Sequence, residues 1–122
     1  MTVQRSYPYA PSSVTQARHF VAERLETLSD IAVESVLLIV SELATNAIRH
    51  AQTGFTIDID LGENEVRISI ADDGGGQPTI SSPQPTEPSG RGLRIVELLS
   101  DRWGIISSTS HRGKTVWFTL HL

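Results

Sequence analysis

The chain has 122 residues, 14 Asp and Glu against 10 Lys and Arg for a net charge of −4, and no cysteine. That length carries one hydrophobic core, and 39% hydrophobic with 20% charged residues is the composition of a globular chain, not a disordered one. The missing cysteines exclude disulfides, thiolate metal sites and a cysteine nucleophile; the lack of a basic run argues against nucleic acid; and the longest apolar run, Val36 to Val40, is far short of the roughly 20 residues of a bilayer span.

The opening stretch, MTVQRSYPYAPSS, lacks the apolar core of a signal peptide, so one cytoplasmic domain spanning 1–122, with no membrane contact, is expected. Residues 2–9 read as a short edge strand ended by Pro8 and Pro11. Ser12 or Ser13 offers an N-cap for a helix near 14–28, where Val14, Ala17, Phe20, Val21, Leu25 and Leu28 recur at helical spacing. Asp30 offers a cap for a longer helix over 31–51, whose core row is Val33, Val36, Leu37, Val40, Ala44, Ala47 and Ala51. The period then becomes two. Phe55, Ile57, Ile59 and Leu61, then Val66, Ile68 and Ile70, predict a β-hairpin around the turn at 62–64. Residues 74–89 are rich in Gly, Pro, Ser and Gln and read as a long loop. Residues 93–103 predict a third helix ended by Gly104, and 105–110 with 115–122 a last hairpin around HRGK. The fold class expected is α+β, a two-layer sandwich with helices on one face of a mixed, mostly antiparallel sheet.

Three stretches carry chemistry. Glu42, Asn46 and His50 rise along one stripe of the long helix, with Glu42 about 160–180° from its core row. Such a stripe is commonly a solvated face. Here Leu38, Ile39 and Leu43 flank it, which points instead to a covered polar pocket. In such a pocket Glu42 can accept a proton and Asn46 can offer a neutral oxygen to Mg²⁺. In ISIADDGGG, strand alternation puts Asp72 on the buried side with Val66, Ile68 and Ile70, where a carboxylate needs a donor. An acidic, Gly-rich turn would have the same sequence. In SGRGLRIVELL, Gly90 and Gly92 precede a helix whose free N–H groups attract phosphate, although a plain Gly-rich helix entry reads alike. The GKT at 113–115 is no Walker A loop: position 108 is Ser108, and a strand follows it. His50 is about 12 Å along the helix from Glu42, too far for a shared metal shell.

In this order the pieces resemble the GHKL superfamily of ATP-binding domains, the Bergerat fold of gyrase, MutL and histidine kinases. SELATNAIRHA (41–51) resembles its N box, DDGGG (72–76) its first glycine box, GRGL (90–93) its second, and GKTVWFTL (113–120) its closing strand. Within that group the chain is most similar to bacterial anti-sigma-factor serine/threonine kinases and related stand-alone ATP-binding regulators. His19 is followed by Phe20 and Val21, not by the acidic residue of a histidine-kinase phosphoacceptor, and the transducer module of gyrase and MutL is not expected.

The resemblance implies ATP and Mg²⁺ as cofactors and a role for each matching residue. Glu42 would be the catalytic base and Asn46 the Mg²⁺ ligand. Asp72 would accept the adenine amine, with Thr115 in support. Gly74 and Gly76 would let the loop pass close to the base. Gly90, Gly92 and Leu93 would line the phosphates, with Arg91 as a charge partner. The stretch 77–89 has four prolines and no Lys or Arg, which leaves Arg91, Arg94 or a partner for the γ-phosphate. The expected function is phosphorylation of an anti-anti-sigma (STAS-type) protein, with a sigma factor as a further partner and a homodimer as an assembly the family allows. A nucleotide-dependent module that sequesters a partner without turnover is the alternative, and a purely structural domain would leave the four boxes as coincidence.

Overall fold

Periods of two and of 3.6 residues sort this chain into a sheet and a helical layer. The structure, a computed structural model, describes residues 2–72, 88–107 and 113–122, with residues 88–92 described by backbone alone. The elements run β1 (Thr2–Tyr7), α1 (Ser12–Arg24), α2 (Asp30–Asn46), a π-helical turn (Ala47–Ala51), β2 (Phe55–Leu61), β3 (Glu65–Asp72), α3 (Pro88–Leu99), β4 (Arg102–Ser107) and β5 (Lys114–His121). The strands form one sheet in the order β1-β2-β3-β5-β4. The α+β sandwich is as expected, but every pairing is antiparallel, so the sheet is not mixed. A tight turn sets the first hairpin, where the Gly62 N–H donates to the Glu65 carbonyl at 2.9 Å. The core lies between the layers. Ile57, Ile59, Val66, Ile68 and Phe118 from the sheet meet Val36, Ile39 and Val40 from α2, with Val21 and Leu25 beside them, all at most 1% exposed.

The helix boundaries differ from expectation for local reasons. Neither Ser12 nor Ser13 caps α1: Pro11 stands at the cap, and the Ser13 hydroxyl donates to the Pro8 carbonyl at 2.7 Å. The α2 cap is Ser29, whose Oγ accepts from the Ala32 N–H at 3.3 Å, and Asp30 falls in the first turn, where its charge suits the helix dipole. From Ala47 the helix widens into the π turn and ends at Gln52, which adopts a left-handed conformation (φ 58°). By length and composition the 22 residues Asp30–Ala51 are apolar enough to cross a membrane (mean hydropathy 1.7). In this fold they form the central core helix, packed between α1 and α3 and against β3 and β5. Helix α3 begins at Pro88, a residue preorganised for a first helical position, so Gly90 and Gly92 lie inside its first turns, not ahead of it. It also ends early. Trp103 and Gly104, expected at its end, belong to β4. Gly104 pairs with Trp117, and a Cβ there would stand 2.7 Å from the indole Nε1, so the glycine makes room for that ring.

Candidate functional site

A cleft opens between the helical layer and the sheet. Helix α2 contributes Leu43 and Asn46, the π turn Ala47 and His50, and α3 Leu93; the sheet contributes Ile70, Asp72, Lys114 and Val116. The walls are thus mainly apolar, with a few polar groups set among them, which is the usual make-up of a small-molecule site.

Asn46 is only 8% exposed, and its Oδ1 is buried with no hydrogen-bond partner among the described residues. A buried acceptor left unmatched costs about 1–3 kcal/mol, so such an atom is a natural place for a ligand or a cation. A neutral amide oxygen is also a donor type that Mg²⁺ accepts, so the residue fits the metal that the resemblance implies. No group of three or more His, Asp or Glu side chains that could hold a metal occurs among the described residues. Any Mg²⁺ here would therefore take most of its ligands from elsewhere.

Asp72 closes β3 on the buried side, as the alternation predicts, and its side chain is 8% exposed. The donor that such a carboxylate needs comes from Lys114. Its Nζ donates to Oδ2 at 2.8 Å, and its backbone N–H approaches Oδ1 at 3.4 Å. Sequence reasoning passed over Lys114 by starting the last strand at Thr115. Strand parity could have found it: Lys114 shares the face of Val116 and Phe118, which are 4% and 0% exposed. By the same parity Thr115, paired with Ala71, lies on the other face of the sheet, and it is not part of the cleft lining.

The other expected residues divide as follows. Leu93 lines the cleft. Glu42 is half-buried, one helical turn before Asn46, and is not among the lining residues. Gly90, Arg91 and Gly92 fall in α3, described by backbone alone, and Gly74 and Gly76 lie outside the described residues. His50, set apart as too distant for a metal shell with Glu42, does reach the cleft beside Asn46.

Helices laid on one face of an antiparallel sheet, with a polar-tipped apolar cleft between the layers, make this a two-layer α+β sandwich with a small-molecule site between its layers. The chain belongs to the histidine kinase-like ATPase domain family, which it matches over residues 7–120. It is 32% identical over 116 residues to the anti-sigma F factor of Bacillus cytotoxicus, an alignment covering 84% of this chain and 77% of that one. The anti-sigma F factor of Bacillus thuringiensis is 31% identical over 116 residues, with the same coverage. Among solved structures, the RsbU and RsbW domains of a Mycobacterium tuberculosis protein share the fold with a TM-score of 0.76 at 19% identity, over 98% of this chain and 31% of that longer one. The SiaB–SiaC complex of Pseudomonas aeruginosa gives a TM-score of 0.64 at 13% identity, over 98% of this chain and 89% of that one.

Proposed function

We propose that this chain is an ATP-dependent anti-sigma-factor serine/threonine kinase of the cytoplasm, and that it phosphorylates an anti-anti-sigma (STAS-type) protein and so governs a sigma factor. One observation carries the reading: an amide oxygen on Asn46, buried and unpartnered among the described residues, and a buried carboxylate on Asp72 line a single apolar cleft. An ATP molecule needs both kinds of group, one toward its metal-bound phosphates and one toward its base. The kinship with anti-sigma F factors supports the choice of partner.

In this reading Leu43, Ala47, Ile70, Leu93 and Val116 hold the adenine by apolar contact and exclude water from it. Asp72 accepts the exocyclic amine. Asn46 Oδ1 would hold Mg²⁺, which when bound would offset the charge on the phosphates. The backbone at Gly90, Arg91 and Gly92 lies in the first turns of α3, whose N–H groups favour phosphate. Glu42 takes the proton from the partner's serine hydroxyl as that oxygen bonds to the γ-phosphorus. The bond from the γ-phosphorus to the bridging oxygen breaks, and ADP leaves. Catalysis is then mostly positioning and charge neutralisation.

The test is γ-phosphate transfer from ATP to a STAS-type anti-anti-sigma protein, with Glu42→Gln as the variant. The variant should keep ATP affinity and lose transfer by about 10²–10⁴-fold, the usual worth of a general base. Transfer at the parental rate removes Glu42 from the mechanism. The second reading, a module that binds a partner under nucleotide control without turnover, draws support from Glu42 standing outside the cleft lining. It prevails if the parent transfers no phosphate yet binds the partner more tightly with ATP.

A further inference from the structure

Lys114 has no part in the assignments above, yet it sits where the base would be read. The register of β3 on β5 pairs Ala71 with Thr115, so one step further Asp72 faces Lys114. Both side chains line the cleft, and Lys114 Nζ lies 2.8 Å from Asp72 Oδ2. Their environments differ. The Asp72 side chain is 8% exposed and the Lys114 side chain 45%. An ammonium has three donors, of which Asp72 Oδ2 takes one, so Lys114 keeps donor capacity beside the carboxylate. The two groups therefore offer an acceptor and a donor side by side.

We propose that Lys114 is a base-reading residue: Asp72 accepts the exocyclic amine of adenine while Lys114 donates to the adjacent ring nitrogen, N1. The inference rests on the ATP reading and deepens it. Removing the cation from a largely buried carboxylate is costly, so the base enters beside the pair without displacing Lys114. The order of groups also sets specificity. Adenine presents a donor amine next to an acceptor nitrogen, which complements acceptor Asp72 and donor Lys114. Guanine presents a carbonyl and an N–H in those two places, so both contacts become unfavourable. A site that uses two polar groups to read one edge discriminates more strongly than an apolar slot, because a wrong base leaves both of them unpaired.

The experiment is calorimetric titration of the full chain with Mg-ATP, with 1-deazaadenosine triphosphate, in which N1 is replaced by C–H, and with Mg-GTP. The parent should bind the deaza analogue about ten-fold or more weakly than ATP, the worth of one charge-assisted hydrogen bond, and GTP more weakly still. Lys114→Met should lose about that factor for ATP and bind ATP and the deaza analogue alike. Circular dichroism of the variant checks its fold, and the parent–analogue comparison needs no variant at all. A parent that binds the analogue as tightly as ATP overturns the proposal. So does a Lys114→Met variant that binds ATP as tightly as the parent or more so, since Lys114 would then be a bystander or a plug on Asp72. A parent that binds no nucleotide overturns the ATP reading itself, which separates the two failures.

Discussion

Replacing Asp72 by Asn changes one oxygen to nitrogen, and the structure says what that nitrogen meets. Oδ2 faces the Lys114 ammonium at 2.8 Å and Oδ1 the Lys114 backbone N–H at 3.4 Å. Whichever way the amide is turned, its NH₂ points at a donor. The variant therefore loses both the charge and the fit of the acceptor pair. For ATP the loss is that of a charge-assisted hydrogen bond in a nearly dry site, about 1.5–3 kcal/mol, or roughly 10- to 150-fold in Kd. Stability should respond far less. The Lys114 side chain is 45% exposed, so its ammonium regains water when the carboxylate goes, and the cost of keeping a carboxylate dry is relieved at the same time, which leaves a net change of about 1 kcal/mol or less. That corresponds to a few degrees of Tm at most. Isothermal titration with Mg-ATP, alongside thermal unfolding without ligand, measures both quantities. An Asp72→Asn protein that melts like the parent and binds ATP within two-fold of it would refute the placement of adenine at Asp72. A large fall in Tm would show instead that the pair with Lys114 holds the fold together.

Two further substitutions test the frame of the site. Asn46→Ala removes an acceptor that is buried without a partner among the described residues, so the unliganded protein should melt at the same temperature or higher, while ATP affinity loses its dependence on Mg²⁺; unaltered metal dependence in titrations with and without Mg²⁺ would remove Asn46 as a ligand. Gly54→Ala should destabilise the fold by about 1–3 kcal/mol, because the new Cβ would collide with the Tyr7 carbonyl and press on the Pro8 backbone, which cannot move aside as a side chain would. Urea unfolding would show the loss as a lower midpoint, and an unchanged midpoint would mean that β1 yields easily at Tyr7.

Which parts of this were legible in the sequence follows from where the signal was local. The hairpin β2–β3 was plain, because Phe55 to Ile70 alternate without interruption and a glycine turn joins them. The same alternation placed Asp72 on the buried side. Of the three apolar neighbours that mark the stripe as covered, Ile39 and Leu43 are 0% and 4% exposed, whereas Leu38 is 46% exposed, so the stripe is covered on the Asn46 side alone. Other features depend on partners distant in sequence. Trp103 and Gly104 continue a helical pattern on paper, and only pairing with Phe118 and Trp117 makes them strand. The cap on α1 was misplaced because Ser13 answers to the Pro8 carbonyl and not to its own helix. The π turn has no periodic signature, since it changes hydrogen bonding without changing composition. Lys114 escapes the sequence reading for a different reason: the last strand is taken to start at Thr115, which is itself given the site role, and the face that Lys114 shares with Val116 is not followed back one step.

The geometry of α2 explains why a site stands here at all. Taking Val40 as the origin and 100° per residue, the buried arc runs from Ala44 through Val36 and Leu43 to Ile39 and reaches Asn46 at about 120°. Glu42 stands only about 40° further round, and there the helix becomes half-exposed. Asn46 is thus the last residue of the core on that side, and half-exposed Ser35 and Glu42 are the first beyond it. An acceptor deeper in the core would be matched by protein or excluded, and one further out would be satisfied by water. At the rim, neither holds: Oδ1 is dry yet lies against a cleft that a ligand can enter. The apolar walls of that cleft extend the core, so in the proposed reading a flat base would fill it as a side chain would, and its polar edge would then meet Asp72 at the end of β3. On this view the unmatched oxygen is a stability cost of about 1–3 kcal/mol that the free protein carries and the nucleotide complex recovers. In the proposed reading folding and binding would be coupled through that one atom, because the helix that closes the core also borders the cleft.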